Sequence, residues 1–297
     1  MKTMAIVTPT YNRGHLLKNV FDSLNKQTNK DFVWYIIDDG SADNTQEMVD
    51  ELKQQTDIEI IYKYKDNGGK HTAINMALDI VAEELTLILD SDDQLLPNAV
   101  EVIMNDYVDI KQDNQICGLG YLKCHTNMNI VGKQYTQDVI VDTFTNQRIN
   151  HNTYGDKCEI FKTEIFKKFR FPEFKDERFV SESAIWCKMS LEYKMKFFNK
   201  PIYMCEYLEG GLSDNVKRRL FKNPKGAVEC YLMMSSKQAK FKPRFKYTIA
   251  YTVYSFAAKA KIKQQFKRVH SKFIYIATFI PAWIIYLTKK HKFKDKK

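Results

Sequence analysis

Residues 85–93 read LTLILDSDD, a short apolar run followed at once by three acidic residues and a serine. A run of this length predicts a buried strand. Two earlier segments repeat the pattern, since residues 4–10 read MAIVTPT and residues 32–41 read FVWYIIDDGS. Each of the three predicted strands therefore ends abruptly in polar residues.

Apolar residues at helical spacing lie between these predicted strands. Helices are predicted around residues 16–24, 48–52 and 73–81, and one more strand at residues 58–64. This alternation predicts an α/β fold in which helices cover both faces of a sheet. Ligands of such sheets bind at the carboxyl ends of the strands, which is where Thr8–Arg13, Asp38–Ser41 and Asp90–Asp93 lie.

The acidic clusters indicate a cation. Asp90 and Asp92 offer hard oxygen ligands of the kind that Mg²⁺ or Mn²⁺ prefers, and such an ion could neutralise a nucleoside diphosphate. Taken alone, Asp-x-Asp is a weak signal and is more typical of a solvated turn in which Asp caps the helix at Pro97. The pair Asp38-Asp39 has the same alternative, a turn at Gly40.

In combination, four segments resemble the family 2 glycosyltransferases of the GT-A fold. They read TPTYNR (8–13), DDGSAD (38–43), NGGKHTAIN (67–75) and LDSDD (89–93). The resemblance covers about residues 3–215 and is closest before residue 100. It implies a Rossmann-like nucleotide-binding mixed sheet with helices on both faces, here followed by a basic helical C-terminal region.

The resemblance also implies roles at the donor site. Tyr11 would pack against the base, and Asp39, with Asp38 beside it, would accept from the base imide and the ribose. Asp92 would bind the Mn²⁺ or Mg²⁺ cofactor, and Asp90 would hold the ribose or a metal-bound water. The full expected donor-binding set is Thr8, Tyr11, Arg13, Asp38, Asp39, Lys70, Asp90, Ser91 and Asp92.

The sequence departs from the family pattern in the position of a cationic side chain. Many members carry Arg just before the Asn of the third motif, where this chain has Ile74 before Asn75. The cationic role is therefore expected to fall to Lys70, facing the diphosphate or ribose, or to Arg13. The alternative for both is a solvated surface cation.

The catalytic base is expected within residues 179–186, which read FVSESAIW. The resemblance places an acidic pair at this helix start, and its carboxylate takes the acceptor hydroxyl proton. Ser183 stands at the second acidic position, so Glu182 is the candidate. Asp176 and Glu177 are possible substitutes, and a glutamate favoured only by the helix dipole is the alternative.

The chain divides sharply in charge. Residues 1–215 hold 24 Lys and Arg against 34 Asp and Glu, whereas residues 216–297 hold 22 against 2. Within this basic tail, Phe273–Thr288 is apolar but has only 16 residues, fewer than the roughly 20 that span a bilayer. The composition favours binding to an anionic membrane surface. The alternatives are a packed helical pair and nucleic-acid binding, for which no motif is present.

These features together predict an inverting transferase. Its donor would be a UDP-sugar. Its acceptor would be a hydroxyl of a surface polysaccharide, wall polymer or glycolipid, and the acceptor would therefore be a saccharide or a lipid-linked molecule. The expected segments are a nucleotide-sugar half (1–110), an acceptor half (111–215) and the basic tail (216–297). Residues 209–215 resemble a flexible segment that folds over bound donor, with a plain surface turn as the alternative.

Location and rival functions complete the expectations. Six scattered cysteines without a CxxC pair favour reduced thiols, so we expect a cytoplasmic protein, peripheral on the inner face of the membrane. One rival is a nucleotidyltransferase, but residues 8–13 lack its Gly-rich phosphate loop. The other is an inactive membrane scaffold, which Ser183 favours mildly and the intact aspartates oppose.

Overall fold

The computed structural model describes residues 2–205 and 216–294, which fall in two compact units. The first unit comprises Met1–Thr143, Thr153–Arg170 and Glu192–Tyr207. The second comprises Phe144–Asn152, Phe171–Leu191 and Leu208–Lys297. The expected donor-covering segment 209–215 lies outside the described residues. The division at residues 110 and 215 stays a prediction.

Within the described residues, the strands of the first unit form one mixed sheet in the order β3-β2-β1-β4-β8-β6-β9-β5, with β7 also paired to β9. The strands are β1 (Met4–Thr10), β2 (Phe32–Asp38), β3 (Ile60–Tyr64), β4 (Leu85–Ile88), β5 (Gln94–Leu95), β6 (Ile116–Cys124), β7 (Val139–Asp142), β8 (Lys157–Lys162) and β9 (Lys194–Met204). Strands β3, β2, β1 and β4 are neighbours in that order and run parallel to one another. Strand β8 runs antiparallel to both β4 and β6.

Helices pack on both faces of this sheet. They are α1 (Leu17–Asn25), α2 (Thr45–Lys53), α3 (Lys70–Ile80), α4 (Ala99–Val108) and the short α5 (Thr163–Phe166), with a 3₁₀ turn at Gly14–Leu16. Alternate residues of β1 point to opposite faces. Ile6 packs in the core that includes α1, α2 and α4, whereas Ala5 and Val7 pack against α3. The predicted α/β class with helices on both faces is confirmed.

The stretch 127–154 contains regular structure for which the sequence carries little signal. Strand β7 pairs antiparallel with β9, and a π-helical segment follows at Thr145–Asn150. Strand β7 was missed because its alternate residues Val139 and Val141 are exposed, so it lacks the buried run that marked the other strands.

The second unit is helical over its described residues. Its helices are α6 (Ser183–Met189), α7 (Val216–Lys222), α8 (Pro224–Met234), α9 (Phe241–Ala257), α10 (Ile262–Arg268) and α11 (Lys272–Lys294). Aromatic side chains fill its core, including Tyr231 stacked on Tyr254 with ring centroids 5.3 Å apart. The basic tail is therefore helical, as predicted from its sequence.

All six cysteines are buried and free of disulfide bonds. Burial raises the pKa of every one of these thiols, so each is held in the protonated, unreactive form. The expectation of unpaired thiols is met among these residues.

Candidate donor-binding and catalytic site

The polar clusters that follow β1, β2 and β4 meet at one edge of the sheet. Strand β1 lies between the other two and runs parallel to both, with Thr10 opposite Asp38 and Val7 opposite Ile88. Their carboxyl ends therefore share an edge. There the Arg13 guanidinium lies 2.8 Å from the Asp92 carboxylate, 79 residues away in the chain.

Tyr11 is presented to solvent by a braced turn. Asn12 has a left-handed backbone (φ 51°), a conformation that asparagine tolerates better than most residues. Its N–H donates to the Ser41 hydroxyl at 2.8 Å, and its side-chain oxygen accepts from the Ala42 N–H at 2.8 Å. The Tyr11 ring is consequently 47% exposed, which leaves a face available for a flat ligand.

Thr8 lies deeper than its expected role suggests. It is fully buried, and its hydroxyl accepts a hydrogen bond of 2.9 Å from the Trp34 indole N–H. Thr10 is nearer the strand end, and its buried hydroxyl has no hydrogen-bond partner among the described residues. Thr8 and Thr10 flank Pro9 in the sequence, and no feature of Thr-Pro-Thr indicates which threonine lies nearer the ligand. A role for Thr8 in donor binding stays a prediction.

Asp39 organises the turn before α3. Its carboxylate accepts from Lys65 Nζ at 2.7 Å and from the N–H groups of Gly68 and Gly69 at 2.9 and 2.6 Å. The Asn67 amide donates to it as well, at 3.2 Å. A carboxylate has about four acceptor sites, so this set of donors occupies Asp39 fully. Lys65 was missed from the sequence, although its place directly after β3 is a usable signal.

Asp38 keeps more acceptor capacity than Asp39. Its carboxylate accepts from the Tyr62 hydroxyl at 2.7 Å and from the Ser41 N–H at 2.8 Å, which is half of the roughly four bonds a carboxylate accepts. Asp38 and Asp39 are both buried. Of this pair, Asp38 is therefore better able to accept a further hydrogen bond from a base or ribose.

Lys70 begins α3 and forms an ion pair with Asp90. The preceding Gly69 has φ 97°, a conformation open mainly to glycine, and this turn places Lys70 at the edge. Burial by itself would raise the pKa of Asp90, but Lys70, with Lys123 and Arg13, holds that pKa below its ordinary value. Asp90 is thus held in its ionised form by the cations beside it.

A second set of charges lies behind the acidic turn. Lys123 Nζ lies 3.3 Å from the Asp93 carboxylate and 3.7 Å from the centroid of the Tyr203 ring. All three side chains are buried. Burial, together with Asp90 and Asp92, raises the pKa of Asp93 to about 7 despite the opposing effect of Lys123. No motif marks Lys123 or Tyr203 in the sequence, because their place behind the acidic turn arises only when β6 and β9 join the sheet.

The carboxylates at this edge of the sheet fit a site for a divalent cation. Within residues 2–205 and 216–294, no three His, Cys, Asp or Glu side chains group closely enough to hold a metal. Mg²⁺, however, is commonly held by one or two carboxylates plus substrate phosphates. Asp90 and Asp92 supply such carboxylates beside the buried Ser91, so the residues fit a site that phosphate oxygens complete.

Glu182, in the second unit, lies at the start of α6 as predicted. Its backbone carbonyl accepts from the N–H groups of Ile185 and Trp186 at 2.9 and 3.0 Å. Its side chain is half-buried. The structure thus fixes Glu182 at a helix N-terminus, where the helix dipole stabilises a carboxylate.

The two substitute carboxylates are less suited to take a proton. Both oxygens of buried Glu177 accept backbone hydrogen bonds of 2.8 Å, from Lys225 and Gly226 in the first turn of α8. Asp176 is largely exposed, 3.8 Å from Lys225 Nζ. Glu177 therefore caps α8, and the role of Glu182 as the base stays a prediction.

A cavity of about 390 Å³ lies within the second unit. Its lining includes Ser181 and Ser183, on either side of Glu182, and the aromatic rings of Phe179, Tyr231 and Tyr247. The walls are mostly apolar, and Glu182 itself is not among the residues that line them.

Helix α11 carries an exposed apolar stripe, here called the α11 stripe. It consists of Phe273, Ile276, Ile280, Trp283, Ile284 and Leu287, which are 78, 65, 70, 44, 56 and 39% exposed. Phe279, which also lies in the apolar segment Phe273–Thr288, packs on Tyr275 and on Phe256 of α9 and does not belong to this stripe. No described helix combines the length and the apolar character needed to cross a bilayer.

The sheet with helices on both faces and an acidic turn at its carboxyl edge defines an α/β domain of the GT-A class. The sequence profile of glycosyl transferase family 2 matches residues 5–169, more than half of the chain. The chain therefore belongs to glycosyl transferase family 2, and it is a glycosyltransferase.

Two similar proteins indicate the range of the family. Glycosyltransferase GlyG of Streptococcus pneumoniae is 26% identical over 220 residues, covering 70% of this chain and 72% of that protein. The GalNAc(5)-diNAcBac-PP-undecaprenol beta-1,3-glucosyltransferase of Campylobacter jejuni is 27% identical over 207 residues, covering 67% of this chain and 62% of that protein.

Two solved structures share the fold. TarS of S. aureus in complex with UDP-GlcNAc gives a TM-score of 0.62 at 18% identity, covering 98% of this chain and 92% of that one. Mannosyltransferase PcManGT from Pyrobaculum calidifontis, in complex with GDP-Man and Mn²⁺, gives 0.56 at 16% identity, covering 99% and 88%.

Proposed function

We propose that this glycosyltransferase moves one sugar, with inversion, from a UDP-sugar to a hydroxyl of a surface polysaccharide, wall polymer or glycolipid. The observation that carries the proposal is the donor edge, where Asp90 and Asp92 lie beside Lys70 and Arg13. A diphosphate and its cation require both signs of charge at one place. The complex of TarS with UDP-GlcNAc supports UDP as the nucleotide.

Four of the expected donor-binding residues have specific parts in this proposal. The exposed ring of Tyr11 stacks on the base, and Asp38 accepts from the base or ribose. Asp92 holds Mn²⁺ or Mg²⁺, with Asp90 beside it. When bound, the ion neutralises the diphosphate and stabilises it as it leaves. The Mn²⁺ complex of PcManGT supports a divalent ion.

Glu182 is proposed as the general base. Its carboxylate takes the proton of the acceptor hydroxyl while the hydroxyl oxygen attacks the anomeric carbon. The bond from that carbon to the diphosphate oxygen breaks, and the nucleoside diphosphate leaves with the electron pair. The capping role of Glu177 supports this choice, because it removes the nearest alternative base.

The acceptor is proposed to lie at an anionic membrane surface. The α11 stripe presents apolar side chains along one helix, and residues 230–294 contain no Asp or Glu beside their many lysines. Apolar side chains that enter the interface and lysines that meet anionic headgroups bind such surfaces together. The Campylobacter relative, whose name includes undecaprenol, supports a lipid-linked acceptor.

Donor turnover tests the proposal directly. Purified protein is incubated with single UDP-sugars and GDP-sugars in Mn²⁺, and the released nucleoside diphosphate is measured. At least one UDP-sugar should release UDP, and Asp92→Asn should abolish the release. Asp109→Asn is the matched control, since Asp109 forms an exposed ion pair with Lys196. If no nucleotide sugar is turned over and none shifts the melting temperature, the proposed function is wrong.

A further inference from the structure

The carboxylates at the donor edge are paired with cations of the chain itself. Arg13 lies 2.8 Å from Asp92, and Lys70 contacts Asp90. Both pairs are partly exposed, with about a quarter of each cation's side chain in contact with solvent. The groups expected to bind a metal are therefore occupied, and so are the cations expected to bind phosphate.

This pairing affects the two ligands differently when they arrive alone. A divalent cation would have to displace Arg13 and Lys70 from the carboxylates and then remain beside them, where like charges repel. A diphosphate would have to draw Arg13 and Lys70 away and leave Asp90 and Asp92 unpaired next to its own negative charge. Arriving together, the ligands replace both ion pairs with attractive contacts.

We propose that Arg13 and Lys70 are exchange partners that make the donor site bind a divalent cation and a diphosphate cooperatively. They hold Asp92 and Asp90 in the free protein and pass to the phosphate oxygens when the cation takes the carboxylates. Lys123 does not exchange, because it is buried between Asp93 and the Tyr203 ring. The inference rests on the proposed diphosphate donor.

Binding measurements on the full chain test the exchange without turnover. Mn²⁺ affinity is measured by electron paramagnetic resonance with and without UDP, and UDP affinity by calorimetry with and without Mn²⁺. Linkage requires each ligand to tighten the other by the same factor, expected to be on the order of 5–150-fold. Inorganic pyrophosphate should show the same coupling, since the exchange involves only phosphate oxygens.

Variants assign the coupling to the two cations. Arg13→Gln should bind Mn²⁺ alone roughly two- to fivefold more tightly, the range for losing a partly exposed ion pair. It should bind UDP with Mn²⁺ more weakly, so the coupling factor falls. Lys70→Gln should change the two affinities in the same directions as Arg13→Gln. Arg13→Lys keeps the positive charge and should retain most of the coupling. The control Lys196→Gln should change neither affinity.

The outcomes separate this inference from the proposed function. If UDP binds but its affinity is the same with and without Mn²⁺, or if Arg13→Gln leaves the affinity for Mn²⁺ alone unchanged, the exchange is wrong while a nucleotide site stands. If UDP fails to bind in every condition, the donor proposal fails and the cooperative exchange fails with it. Absence of Mn²⁺ binding in all conditions also overturns the exchange.

Discussion

The Tyr203 hydroxyl accepts a hydrogen bond of 3.0 Å from the backbone N–H of Asp90, which lies 113 residues earlier in the chain. Lys123 lies over the ring of the same tyrosine, with its Nζ 3.3 Å from the Asp93 carboxylate. Tyr203 belongs to β9 and Lys123 to β6, so two strands outside the parallel part of the sheet fix the acidic turn. The position of Asp92 therefore depends on residues that the motif itself does not include.

The first prediction concerns this support. Tyr203→Phe keeps the ring but leaves the Asp90 N–H without its acceptor, at a cost of about 1–3 kcal/mol in unfolding free energy. The turn should loosen, and calorimetry should show weaker UDP binding in Mn²⁺. Tyr107→Phe is the control, because Tyr107 donates at 3.0 Å to Glu84 elsewhere. Equal UDP affinity in both variants would show that Tyr203 does not position the turn.

The second prediction concerns the metal. Asp92→Asn removes the anionic ligand but keeps the shape of the side chain. UDP should bind the natural protein more tightly with Mn²⁺ than with EDTA, and the variant should lose that difference while its melting temperature changes little. Isothermal calorimetry measures both affinities. A natural protein that binds UDP equally in EDTA contradicts the metal assignment.

The third prediction concerns the base. Glu182→Gln should lower turnover roughly 10²–10⁴-fold with little change in UDP affinity, because the proton acceptor is lost but the donor edge is intact. Glu177→Gln is a contrasting variant that weakens the cap of α8, so it should lower the melting temperature. Near-normal turnover in Glu182→Gln, with loss in Asp176→Asn, would move the base to Asp176.

The fourth prediction concerns the membrane. Full-length protein should sediment with anionic liposomes and much less with neutral ones, since each lysine near the surface contributes about 1 kcal/mol. Salt should weaken binding only in part, because it screens the lysines but not apolar burial.

Charged substitutions test the α11 stripe itself. The double variant Ile276→Asp and Ile280→Asp should bind weakly, while Val108→Asp, at an exposed apolar position on α4, should bind normally. If the natural protein ignores anionic liposomes at low salt, the stripe has another partner and the membrane proposal is wrong.

The sequence predicted the first half of the fold well because burial there is strictly patterned. Strands β1, β2 and β4 are apolar runs that end at polar residues, and the apolar spacing of α1 and α3 matches their packing on opposite faces. These local signals were sufficient for the fold class and for the edge where ligands bind.

The residues that pair with the motif side chains could not be predicted from the sequence, because these pairs form between segments that are distant in the chain. Lys65 and Asp39 are 26 residues apart, and Lys123 and Asp93 are 30. Phe279 looks like its exposed neighbours in the sequence, and only the structure shows that its ring contacts both Phe256 and Tyr275. The pairing of Arg13 with Asp92 likewise required the sheet.

The burial of all six thiols makes the molecule suited to site-specific labelling. Maleimide reagents attack the exposed thiolate, so the native cysteines should react slowly while the chain stays folded. A single cysteine introduced in place of Ile276 would then carry an environment-sensitive fluorophore alone. Its emission would report how deeply position 276 enters a lipid vesicle. The same substitution at other positions of α11, made one at a time, would extend the measurement along the helix without removing any natural cysteine.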